Sequence, residues 1–183
     1  MDPNIIVWVF SGLSLLVGLS IFVFHLCNRK LHKNPYNLLL MGIIIVDCIM
    51  TIHLIFSLTS VSKRNLVGCQ LVGLIGVFAT FASAAYHFYL SELINTLSKV
   101  FNPKDLSHLK YHFYAIMFGL FFSMFSIIVE DIGITCFESC GTARGSILEF
   151  LYVTILVFAF PYCFWSAIGC YRKLSRNQDV MAD

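Results

Sequence analysis

Charge is what this sequence lacks most. Only 12% of its 183 residues are Asp, Glu, Lys or Arg, about half the roughly 25% of an ordinary soluble domain. With 58% hydrophobic residues and a mean hydropathy of +0.83, too few polar side chains remain to coat a water-facing globule. The net charge of +2 comes without any long basic run, which excludes a nucleic-acid partner. The signatures H-E-x-x-H and G-x-S-x-G and the phosphate-binding glycine loop are all missing, so nothing points to catalysis, a resident cofactor or a metal. No cation lies in the first four residues, the first apolar run is too long for a leader, and Arg29-Lys30 follows it directly. That run therefore reads as a retained anchor and not as a cleaved leader. No internal repeat, linker or low-complexity segment is present, so one domain covers residues 1–183.

What the chain does have is long apolar stretches, each near or above the ~20 residues that cross a hydrocarbon core. They predict transmembrane helices at about 5–27, 37–60, 66–98, 109–129 and 146–171, an all-α integral membrane bundle. Asn34-Pro35 and Asn102-Pro103 break the pattern before the second and after the third span, because the residue before proline is pushed away from helix. Short connections make neighbouring spans antiparallel.

Lysine and arginine set the orientation. With five spans, nine cations share one side: Arg29, Lys30, Lys33, Lys99, Lys104, Lys110, Arg172, Lys173 and Arg176. The other side holds Lys63, Arg64 and Arg144. The N-terminus is expected outside and the C-terminus in the cytosol, with the plasma membrane as the expected location. Cys69, Cys136 and Cys140 then lie on the oxidising side, where a disulfide can persist. Spacing does not choose the pair, and a local Cys136–Cys140 bond is one option. Cys27 and Cys170 fall at the cytosolic ends of spans one and five. They read either as palmitoylation candidates or as small buried packing residues.

An ionisable group inside a span needs a partner or a wet cavity. Asp47 sits about ten residues into span two. On span three, Thr80, Ser83, His87, Ser91 and Asn95 recur every three or four residues, which places them on one helical face. Glu92 is one position off that face, near the cytosolic end. Phe78, Phe81, Phe88 and Leu90 lie opposite, toward lipid or apolar neighbours. Span three is therefore central and, being long, tilts or projects from the membrane. Small residues mark close helix contacts: Ser11, Ser14 and Gly18; Gly119, Ser123 and Ser126; Cys163, Ser166 and Cys170. Pro161 is expected to kink span five. His53 and His87 differ in depth by roughly 10 Å at the helical rise, which argues against a shared haem.

Taken in order, these features resemble the first five helices of a seven-helix G-protein-coupled receptor, with the cyclic-AMP-receptor-like and secretin-like branches closest. The resemblance rests on the basic loop from Cys27 to Pro35, Asp47 in a span that opens at Pro35-Tyr36-Asn37, and Cys69 starting a long polar-striped third span. A Cys-bearing loop before span five and Pro161 within it complete the pattern. It implies a bond from Cys69 to Cys136 or Cys140, and it puts Glu92 near the acidic position at the inner end of helix three. The chain differs from the family in three respects. Leu93-Ile94-Asn95 follows Glu92 in place of an arginine–aromatic pair, span four has no Trp, and the sequence ends at Asp183.

The expected role is that of a truncated receptor-like protein that binds a ligand or pairs with a receptor, the ligand class being open. A structural subunit of a larger membrane complex is the alternative, and a transporter or proton pathway through Asp47, His87 and Glu92 a third. Under each reading the partners are the lipid bilayer and other membrane helices, as a homo- or hetero-oligomer.

Overall fold

The computed structural model describes residues 3–28, 35–57, 66–97, 108–129, 132–134, 140–142 and 145–182. Five helices account for almost all of them: α1 (Pro3–Cys27), α2 (Pro35–Ser57), α3 (Leu66–Leu97), α4 (His108–Ile128) and α5 (Ile147–Ala182). Proline stands first in both α1 and α2, where its missing N–H would have no helical partner anyway. Among the described residues, four helices are long and apolar enough to cross a membrane, within Trp8–Cys27, Asn37–Ser57, Val67–Ile94 and Leu109–Ile128. The fifth crossing expected from the sequence falls on α5. The molecule is an all-α membrane-type bundle.

Most of the surface of the four spanning helices is apolar, so the small and polar residues decide which faces meet. α3 is the hub: α2, α4 and α5 all pack on it, and α1 joins through α2. Around α3 the buried residues Leu39, Ile43, Val46, Ala79, Ala82, Tyr86, Leu93 and Ala115 form one cluster, and Val77, Phe81 and Leu148 a second. Phe81 is 1% exposed, its ring stacked 4.0 Å from that of Phe122 on α4. It meets an aromatic neighbour, not lipid. Gly119 lets α4 approach so closely that an added Cβ would lie 2.8 Å from the Phe78 carbonyl. Gly18 does the same for α1 against Cys48. Ser14, expected at a packing face, is exposed instead.

Three features depart from the expected helices. A two-stranded antiparallel hairpin, β1 (Ile132–Ile134) and β2 (Cys140–Thr142), fills the connection before α5, with Ile134 opposite Cys140. No alternating pattern announces strands this short. α5 runs on to Ala182, beyond the expected end at 171. Hydropathy falls there, but residues 172–182 contain neither Gly nor Pro, so helix propensity carries the backbone forward. Pro161 lies inside α5 without ending it.

α3 also projects past α4. Tyr89 stands beside Tyr111, ring centroids 5.3 Å apart, only one turn from the start of α4 at His108. The last turn and a half of α3 therefore extends beyond that start, by roughly 7 Å at 1.5 Å per residue.

Candidate functional site

One face of α3 organises the site. Of the polar stripe expected on α3, Thr80, Ser83, His87 and Ser91 line one side together, and that side continues upward through Gly76 and Gly73 to Cys69. Each turn of this seam has its own neighbour. Cys69 is disulfide-bonded to Cys140 of β2, with the α-carbons 5.2 Å apart. A Cβ on Gly73 would run into Ile132 and touch the Gly141 backbone, so the hairpin lies flat on the helix. At Gly76 the His53 ring of α2 fills the space a side chain would need. His53 Nδ1–H donates to the Val72 carbonyl at 2.8 Å. Thr80 Oγ donates to Met50 Sδ at 3.2 Å. Ser83 Oγ donates to Asp47 Oδ1 at 2.8 Å. Further along, the Ser91 carbonyl accepts from Ser166 Oγ of α5 at 3.0 Å.

The disulfide excludes a local Cys136–Cys140 bond, since Cys140 is already joined to Cys69; Cys136 lies outside the described residues. Pairing with α3 is what presses the hairpin onto Gly73. Cys27 is a free, exposed thiol, so it is not the buried packing residue that was one expectation. The side chains of Cys170 and Asn95, and the loops holding Arg29, Lys30, Lys33, Lys99 and Lys104, lie outside the described residues.

Asp47, Ser83 and His87 come together as an open polar cluster. Asp47 and His87 are both exposed, although Asp47 lies midway along the apolar stretch Asn37–Ser57. His87 Nδ1–H donates to the Ser83 carbonyl at 2.8 Å, with Ser83 Oγ 3.4 Å from the same nitrogen. The hydroxyl proton of Ser83 goes to the carboxylate, and the serine sits between acid and histidine. A Ser-His-Asp nucleophile needs the histidine in the middle, so the order here serves hydrogen bonding and not serine activation. A carboxylate at mid-span costs ~2.5–3.5 kcal/mol on the mildest scale, and one hydroxyl offsets only ~0.6–2 kcal/mol of that.

Glu92 is exposed and one position off the seam. The seam level of His53 at Gly76 lies eleven residues from His87, roughly 16 Å along α3, so the two rings do not face one another. Among the described residues no group of three His, Cys, Asp or Glu is placed to hold a metal.

Two features were missed in the sequence. Gly73 and Gly76 continue the seam at its own spacing, and small residues count as much as polar ones on a packing face. Ser146-x-x-Glu149 is a capping-box pattern at the start of α5. Glu149 N–H donates to Ser146 Oγ at 3.0 Å, and Gly145 N–H donates to Glu149 Oε2 at 2.6 Å. Gly145 has φ of 74°, a left-handed turn that suits glycine.

The class defined by fold and site is an integral membrane helical bundle with a disulfide-tethered hairpin over its central helix. Compared with models of protein families and with curated proteins, the chain matches none.

Proposed function

We propose that this chain is a receptor-like plasma-membrane protein that acts by recognition, of a ligand or of a seven-helix receptor partner. The observation that carries the reading is the Cys69–Cys140 bond, which joins the first turn of the central helix to the connection before α5. Such a bond persists on the oxidising side of a membrane. An outward-facing disulfide end, with alternating spans, supports an N-terminus outside and the far end of α5 in the cytosol. The nine cations on the opposite side agree in sign with this orientation. Asp47, the second-helix acid on which the resemblance partly rests, accepts from Ser83 of α3.

Epitope tags at the two termini test the orientation. The N-terminal tag should stain on intact cells and the C-terminal tag only after permeabilisation; the reverse pattern overturns the reading. Purification in mild detergent tests the role. A seven-helix receptor in stoichiometric amount supports recognition, whereas a set of transport or respiratory subunits supports the accessory-subunit alternative.

A second reading rests on the contiguous contacts among Asp47, Ser83 and His87. These are the parts of a proton pathway, although no paired broken helices accompany them. Reconstituted vesicles decide this: pH-dependent flux that is abolished by Asp47→Asn supports it, and absent or unchanged flux eliminates it.

A further inference from the structure

We infer that the groove between α2 and α5, floored by α3, seats a transmembrane helix of another chain that presents a lysine or arginine to Asp47 at mid-bilayer. This inference rests on the membrane-spanning character of the bundle and is independent of the receptor-like reading.

The groove follows from how the α3 seam is covered. Toward the α3 N-terminus the hairpin, His53 and Met50 close it turn by turn. Toward the C-terminus Ser166 of α5 reaches the Ser91 carbonyl. Between these levels stand Ser83, half-buried, and His87, exposed. Among the described residues, α2 and α5 each pack on α3 but do not form a packed pair with each other. The opening between them exposes the seam at the level of Asp47.

Asp47 does not point to lipid. Ile45, Ile52 and Phe56 are the strongly exposed apolar residues of α2, and at 100° per residue they lie on the side opposite Asp47. The carboxylate thus faces inward, toward Ser83, and is exposed because the bundle interior is open there. Its depth is also defined, since it stands ten residues from either end of Asn37–Ser57, about 15 Å from each.

Charge selects the occupant. The described side-chain partner of Asp47 is a neutral hydroxyl, and intramembrane carboxylates are normally paired or set in a wet cavity. A lipid tail brings no donor. A second copy related by a two-fold axis along the membrane normal would bring Asp47 to its own counterpart at the same depth, like charge against like. A foreign helix with one cation near its midpoint supplies the missing sign.

The test uses the purified full chain in lipid vesicles, with a designed Leu/Ala transmembrane helix as the probe and energy transfer as the readout. Three probe versions are compared: all-apolar, one Lys at the midpoint, and one Lys two turns away. The expected result is at least tenfold tighter association of the midpoint-Lys helix. That preference should vanish in Asp47→Leu and shrink in Asp47→Asn, with helicity and the Cys69–Cys140 bond retained in both variants. Equal affinity for the three probes, or a midpoint-Lys preference that survives Asp47→Leu, overturns the inference. Self-association of the chain that depends on Asp47 overturns it as well, because the groove would then belong to a second copy.

Discussion

The hydroxyl of Tyr86 on α3 and Nδ1 of His112 on α4 lie 3.0 Å apart in a hydrogen bond, directly over Gly42 of α2. Tyr86 is 2% exposed, and a Cβ on Gly42 would stand 2.7 Å from its ring and 3.0 Å from His112. Three helices are locked at this point, and the lock depends on one missing side chain. Gly42→Leu should therefore lower the thermal midpoint in detergent far more than Tyr86→Phe, which removes only the hydrogen bond and about 0.6–2 kcal/mol. Equal losses from the two variants would show that the close approach at Gly42 is not what holds the junction.

A second close approach makes a rescue experiment possible. Gly76 has no room for a side chain because the His53 ring occupies it. Gly76→Val should destabilise the bundle on its own, and His53→Ala in the same chain should recover part of the loss. Denaturation of all four members of this double-mutant cycle measures the coupling, with an expected size of about 0.5–3 kcal/mol. Purely additive losses would mean that the two residues do not meet.

The tether between hairpin and helix is tested by its two halves. Cys69→Ser and Cys140→Ser should each cost about 2–4 kcal/mol, the usual range for losing a native disulfide, and the double variant should cost no more than either alone. Non-reducing peptide mapping of the native chain should recover the two cysteines in one linked peptide. Recovery of Cys69 as a free thiol would remove both the tether and the receptor-like reading.

At the start of α5, Ser146→Ala should cost about 1 kcal/mol, the typical loss of a helix N-cap. Hydrogen exchange should localise the effect, with faster exchange at Glu149 N–H and the rest of the first turn. An unchanged exchange rate there would show that Ser146 does not cap the helix.

Much of this arrangement was legible beforehand because hydrocarbon imposes simple rules. Asp47 and the stripe at Ser83 and His87 stood out as polar groups in apolar spans, and the structure brings them to one cluster. Pro161 reads as a kink, and it lies within the continuous helix α5 as that expectation requires, since a proline can bend a helix without ending it. The hairpin was not legible, since three-residue strands carry no periodicity of their own. Gly73 and Gly76 passed unnoticed for a different reason. Glycine signals only that something comes close, and its partners Ile132 and His53 lie far away in the chain.

By itself the sequence determined that this is an integral membrane bundle of long helices with a polar-seamed third helix, because too little charge and too much apolar length leave no water-soluble alternative. Only the tertiary structure decided that Cys140 is the partner of Cys69, and that His53 rests on Gly76. It alone set the Asp47 carboxylate of α2 against the Ser83 hydroxyl of α3. Spacing along a helix defines its faces, but which face meets which depends on close contacts between residues distant in the chain, and those exist only once the helices have packed.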